Sequence, residues 1–175
     1  MSRLLHSFLQ PPVDSPATTI VLRLMAGSVF LWEGLIKFYF ANQGTGRFAK
    51  LGFPAPNLIA TSTAWLEIIG GIFLIVGLLS RPVALLFVIE MLVAMLSTKI
   101  PLLRGTYPLA LPPSPPQIGA WAVLHEIRSE YAQLACSLFV FLSGPGRWSI
   151  DAWMARKSKL TTHTRGTLSH PPLFS

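Results

Sequence analysis

The sequence is poor in charge, in histidine and above all in cysteine. Charged residues fill 12% of its 175 positions, about half the share usual for a soluble domain. A single cysteine, Cys136, excludes an intramolecular disulfide and a C-x-x-C redox pair. With four histidines beside that one thiol, no ligand set for haem or an iron–sulfur cluster can be assembled. His125 and Glu126 are adjacent, so their side chains diverge, and no second histidine falls in an apolar run; no metal site is expected. The sequence has no phosphate loop and no dinucleotide fingerprint, and no internal repeat is visible. Most cofactor-bearing and nucleotide-using enzyme classes are thereby removed.

Apolar residues are abundant, at 51%, with a mean hydropathy of +0.54. They are gathered into four blocks, Thr19–Phe40, Leu58–Leu79, Val83–Thr98 and Trp121–Leu142. Two of these reach the roughly 20 residues that cross an apolar layer of about 30 Å, and the others fall slightly short or begin with polar turns. A soluble four-helix protein would show apolar stripes with polar backs, whereas these blocks are apolar nearly all round. The expected fold is an all-α integral membrane protein, a four-transmembrane-helix bundle with both termini on one side. The spans are placed at 18–40, 58–79, 82–99 and 121–143, after a cytoplasmic N-terminal segment, 1–17, and before an interfacial helix with a basic tail, 144–175.

The first block follows Asp14 and Pro16, exceeds a usual signal core and precedes no A-x-A site, so it is read as a span and not a cleaved signal. The net charge of +7 lies mostly outside the blocks, notably in "RKSKLTTHTR". A tail meeting anionic lipid accounts for it, and nucleic acid is not expected. Between the third and fourth blocks, six prolines from Pro101 to Pro116 impose an extended loop. Pro82 suits the first position of a helix, and Ser149 is a suitable N-cap for "IDAWMARKSK". Seven basic residues fall on the terminal side (Arg3, Arg23, Arg81, Arg147, Arg156, Lys157, Lys159) and six on the other (Lys37, Arg47, Lys50, Lys99, Arg104, Arg128). That bias favours cytoplasmic termini.

The stretch "RLMAGSVFLWEGLIKF" places charge inside a span. At about 100° per residue, Arg23, Gly27, Phe30, Gly34 and Lys37 share one stripe about 80° wide. Glu33 lies beside it, in favourable i,i+4 order with Lys37. Arg23 and Lys37 stand about 21 Å apart along the axis, near enough to the ends to snorkel. Glu67 and Glu90 sit near mid-depth, where an ionised acid costs about 2.5–3.5 kcal/mol unless it is paired. Glu130 enters the fourth block, and Arg23, Lys37, Arg128 and Lys99 are the available counter-charges. Two readings compete for these groups: ion pairs that only hold helices together, and a polar cavity, proton path or ligand pocket. On the second, Arg23, Lys37, Glu67, Glu90 and Glu130 form the candidate polar site, and Phe30, Gly34, Trp65 and Gly71 line it. Arg23, Lys37, Glu67 and Glu130 are expected to converge on the interior, with Cys136 a small core residue.

Several motifs together resemble the DoxX family: "R-x3-G-x2-F-x3-G-x2-KF" in the first block, "GRFAKLGFPAP" after it, "EIIGGIFLIVGLLSRP" in the second and "SGPGRWSID" after the fourth. The matching positions are Arg23, Gly27, Phe30, Gly34, Lys37, Pro54, Glu67, Gly71, Arg81, Glu130, Gly144, Gly146 and Asp151. The Pro-rich third loop and Glu33 depart from the pattern. The resemblance implies a small four-helix protein of the bacterial inner membrane, associated with quinone-linked electron transfer or with oxidative and thiol stress. The first functional expectation is therefore a membrane subunit of a redox system. It would hold no covalent cofactor, bind a quinone, and work with a soluble redox enzyme or a second membrane subunit, or as a homodimer. The alternatives are a small proton or solute carrier using Glu67, Glu90 and Glu130, and a non-catalytic assembly scaffold.

Overall fold

The computed structural model describes residues 15–157. Most of the expected N-terminal segment, and the basic tail from residue 158 on, lie outside the described residues. All regular structure among the described residues is helical. Helix α1 spans Thr19–Tyr39, α2 Thr45–Lys50, α3 Pro56–Val76 and α4 Ser80–Ala94. A π-helical turn, Met95–Lys99, and α5, Ile100–Leu103, prolong α4 without a break. Beyond the Pro-rich loop come α6, Ala120–Glu126, and α7, Arg128–Ser143, and α8 covers residues 150–157. Three stretches, Thr19–Tyr39, Pro56–Val76 and Ser80–Leu103, are long and apolar enough to cross a membrane. Their outward side chains, among them Val21, Trp32, Ile72 and Leu96, are large, apolar and exposed, as surfaces facing hydrocarbon must be.

The fourth block differs from expectation. It is two helices, with Ile127 between them at φ −82°, ψ −7°. This junction falls within "HEIRSE", the most polar part of the block, where no continuous apolar face holds one straight helix. Helix α7 then has 16 residues. The third block also departs, running past "STKIP" to Leu103 through the π turn. Pro101 has no N–H to give the Ser97 carbonyl, and its ring crowds that group, so the helix loosens there. The Ser97 and Thr98 hydroxyls donate instead to the Val93 and Ala94 carbonyls, at 2.7 and 2.6 Å. The wider turn swings both Thr98 and Lys99 inward, and both are buried.

Glycine decides how α1 and α3 meet. A Cβ on Gly71 would lie 2.7 Å from the Gly27 carbonyl oxygen, and one on Gly34 would lie 2.7 Å from that of Ala64. The two helices therefore touch backbone to backbone, and the stripe expected on α1 is a packing seam against α3. Helix α4 follows α3 after a tight turn in which Gly77 has φ 74° and Leu79 φ 48°. The Asp151 carboxylate accepts hydrogen bonds from the Leu79 and Ser80 N–H groups, at 2.9 and 3.0 Å. That cap starts α4 at Ser80, so Pro82 lies inside its first turn rather than at its first position. Phe30 stacks on Phe87 at 3.6 Å between centroids, with an interplanar angle of 8°. This pair centres a core completed by Ala26, Leu74, Met91, Cys136 and Val140. Helix α7 runs antiparallel to α4, with Arg81 donating to the Leu142 carbonyl at 2.9 Å and Lys99 meeting Glu130 at the other end.

Candidate functional site

The two basic residues of the α1 stripe end in unlike surroundings. Arg23 is 1% exposed. Its guanidinium donates to four backbone carbonyls: Leu74 at 2.9 Å, Ile75 at 2.8 Å, Pro145 at 2.7 Å and Trp148 at 2.8 Å. A planar fork of five N–H donors suits such a task, and a lysine's point charge does not. Arg23 thus ties α1 to the end of α3 and to the "GPGRW" turn. Nearby, Ser149 caps α8 by accepting from the Ala152 N–H at 3.1 Å, and Ser15 donates to the Ser143 carbonyl. Arg23 neither snorkels nor meets an intramembrane acid.

Lys37, about four turns further along α1, is an ion-pair residue. Its Nζ lies 2.5 Å from Glu67 Oε2, with both side chains largely buried. A weaker contact of 3.4 Å runs to the Glu33 backbone carbonyl. The expected side-chain pair with Glu33 does not form, because Glu33 points outward and is exposed. Glu67, 3% exposed, stands close enough to Glu90 that the two acids act on each other. One ammonium balances one carboxylate, and a second ionised acid at this depth would cost about 2.5–3.5 kcal/mol unless paired, so Glu90 counts as the neutral acid of the two. The remaining oxygen of Glu90, Oε2, is buried without a hydrogen-bond partner. Lys37, Glu67 and Glu90, from α1, α3 and α4, therefore form one connected group.

The five candidate residues do not all converge. Arg23 lies at the opposite end of α1 from Lys37, and Glu130 makes a separate pair with Lys99 at 3.0 Å. Lys99 was only one of several possible counter-charges in the sequence, because the π turn that buries it is a backbone event. Arg128, the other nearby base, is exposed. The residues expected to line the pocket are placed differently. Phe30 is spent in the stack on Phe87, while Gly34 and Gly71 are helix contacts. Trp65 is 52% exposed and touches Phe38 edge-on at 5.5 Å. It lies on the outside of α3, on the face turned away from Glu67.

A cleft of about 320 Å³ does open beside the charged group, at the level of Lys37. Lys37, Tyr39, Thr45, Asn57 and Thr61 supply its polar lining, and Phe38 and Ala64 its apolar lining. The Thr45 hydroxyl donates to Asn57 Oδ1 at 3.2 Å, which leaves the Asn57 amide hydrogens for another acceptor. Thr45, at the start of α2, and the first turns of α3 build this mouth, so the residues flanking "GRFAKLGFPAP" line the entrance. Among the described residues no group of three or more His, Cys, Asp or Glu side chains is placed to hold a metal ion.

Comparison with known proteins gives the family. The family model described as DoxX matches residues 18–100, which include α1, α3, α4 and the whole of the Lys37–Glu67–Glu90 group. The chain is 34% identical over 157 residues to "Uncharacterized membrane protein Rv3486" of Mycobacterium tuberculosis (strain ATCC 25618 / H37Rv), covering 89% of each chain. It is 32% identical over 82 residues to "Putative oxidoreductase CatD" of Bacillus subtilis (strain 168), covering 47% of this chain and 60% of that one. No solved structure matches. Similarity across nearly the whole length, a family match over the charged spans and a helical fold of membrane-crossing elements together make this chain a member of the DoxX family.

Proposed function

We propose that the protein is the membrane-embedded subunit of a redox system that binds a lipid-soluble quinone at the Lys37 cleft. The observation that carries this reading is a buried Lys37–Glu67–Glu90 group beneath an opening lined by hydrogen-bond donors. A volume of about 320 Å³ stands at the lower end of the range of small-molecule sites, roughly 300–1,000 Å³. The donor set fits a quinone head. Lys37, Asn57, Thr45 and Thr61 offer N–H and O–H groups to its carbonyl oxygens, and Phe38 offers an aromatic face. The tail would leave past Phe38 and Trp65 into lipid. When bound, the quinone supplies the electron-accepting chemistry. The protein's own groups hold the head, keep water out and place the Glu67 and Glu90 carboxyls behind Lys37. The electrons come from a soluble redox enzyme or a second membrane subunit, since one cysteine and four histidines furnish no site for a redox metal. The name of the CatD relative points the same way.

Within this proposal four spans cross the bacterial inner membrane, with α6 and α7 together making the fourth, and both termini are cytoplasmic. The test is direct. The protein, purified from membranes in mild detergent, should retain quinone extractable into organic solvent, and Lys37→Met should lose it. Retention no greater than that of an unrelated membrane protein purified in parallel would overturn the reading. A second reading, a small proton or solute carrier, draws on the Glu67–Glu90 contact and predicts proton flux in liposomes without added quinone.

A further inference from the structure

We propose that the Lys37–Glu67–Glu90 group couples binding of a lipid-soluble oxyanion in the cleft to uptake of one proton. The inference rests on the quinone reading and deepens it, because it assigns the ionised form of the ligand and a compensating proton to the same site. It starts from a count of charge. Lys37 carries one positive charge, Glu67 beside it at 2.5 Å one negative charge, and Glu90, with no cation of its own, is the neutral acid. The group is neutral as it stands, as a buried cluster at membrane depth must be.

Lys37 is also the member of the group that lines the cleft. Its ammonium has three hydrogens, of which one serves Glu67 at 2.5 Å and another the Glu33 carbonyl at 3.4 Å. The third is free for a ligand oxygen. An anionic oxygen arriving there claims the positive charge that had balanced Glu67. The carboxyl pair is then left with an uncompensated negative charge in a low-dielectric site, a state that costs several kcal/mol. No other base stands ready to neutralise it. Arg23 is committed to four carbonyls at the far end of α1, and Lys99 is paired with Glu130. From α1 the only other charged group acting on the pair among the described residues is Glu33, which is also negative. A proton must therefore enter, and it goes to Glu67, the ionised member of the pair, which the ligand has deprived of its counter-charge. Ligand oxyanion and proton bind together, the added charges sum to zero, and no electron moves. Neutral quinones need no proton to bind; their ionised hydroxylated relatives do.

The test uses the full-length protein in nanodiscs of neutral phosphatidylcholine, titrated with an alkyl hydroxynaphthoquinone, which is ionised at neutral pH. Its methyl ether, which cannot ionise, is the control. Calorimetry in two buffers of different ionisation enthalpy reads the protons taken up per ligand. The expected result is about one proton for the anion and none for the ether, with the anion's affinity falling about tenfold for each unit of pH rise. The double variant E67Q/E90Q removes both acids while keeping their shape, so it should bind the anion with no proton uptake and a flat pH profile. The wild-type titration decides the matter even if that variant fails to assemble. Binding of the anion without proton uptake would overturn this inference and leave the quinone reading standing. Binding of neither compound would overturn the quinone reading itself.

Discussion

The two ends of the α1 stripe carry the same kind of residue and put it to opposite uses. At one end four of the five N–H donors of Arg23 are matched to backbone carbonyls, which ties α1 to the end of α3 and the "GPGRW" turn. At the other end Lys37 meets a carboxylate that itself stands beside a second acid, an acid oxygen is left over, and a cleft opens alongside. Saturated hydrogen bonding fixes a structure. Incomplete compensation leaves capacity for a ligand or a proton. A charge within a membrane span therefore does not announce its role; its partners do.

The strongest way to break this contrast is to remove Arg23. Arg23→Ala strands four carbonyls, two of them in buried bonds and two in part-buried ones, and each buried orphan costs roughly 1–3 kcal/mol. The variant should lose most of its folded, monodisperse yield from membranes, and Arg23→Lys should not restore it, because a single ammonium cannot reach four oxygens. Near-normal yield and melting temperature for Arg23→Ala would show that the closed end is not what holds the bundle.

Next in size is the seam between the two ends. Gly71→Leu drives a side chain into the Gly27 carbonyl and the Leu31 backbone, contacts that no rotamer change relieves. Such overpacking should cost about 3 kcal/mol and force α1 and α3 apart, displacing Lys37 from Glu67. The variant should show a lowered melting temperature together with reduced quinone content. Loss of quinone with an unchanged melting temperature would mean that the seam serves the site alone.

The seam between the two ends could be read in the sequence, and less of what stands at either end. The Arg23–Gly27–Phe30–Gly34–Lys37 stripe follows from helical periodicity, which also locates the contact with α3. The partners of Arg23 were beyond reach, since backbone carbonyls 51 to 125 residues away leave no trace in residue type. The approach of Glu67 to Glu90 was hidden for a related reason, since equal depth in two helices does not fix how they are turned toward each other. Lys99 owes its burial to the π turn, for which Ser97, Thr98 and Pro101 were the available signal. Trp65 shows the converse error. An aromatic residue near a mid-span acid invites the idea of a pocket wall, but two residues along a helix is about 200° around it, so Trp65 and Glu67 face opposite ways.

At the open end, Glu67→Gln should be milder for folding and severe for function. Glutamine keeps the shape and an acceptor for Lys37, so the stability loss should stay near 1–2 kcal/mol. Assembly should be normal, while tolerance of cells to quinone or thiol stress should fall to that of a strain lacking the gene. A variant that inserts normally and retains full tolerance would reduce the Lys37–Glu67 pair to a packing device like the closed end.

Trp65→Ala should have the smallest effect, and it sharpens the boundary between the site and the lipid-facing surface. A tryptophan lining the interior would leave a cavity when truncated and cost about 3–5 kcal/mol. Trp65 is half exposed, and its one recorded ring contact is the edge-on meeting with Phe38, at an interplanar angle of 62°. Such pairs are worth about 0.5–1.5 kcal/mol. The variant should therefore melt within a few degrees of the wild type in detergent and keep the Lys37–Glu67 pair, because Gly34 and Ala64 still set the spacing of α1 and α3. Retained quinone should decline only through the lost contact with its tail, by less than about tenfold, the equivalent of 1.4 kcal/mol. A loss of several kcal/mol would place Trp65 inside the bundle, bring the cleft deeper than Lys37 and move the boundary between the two ends.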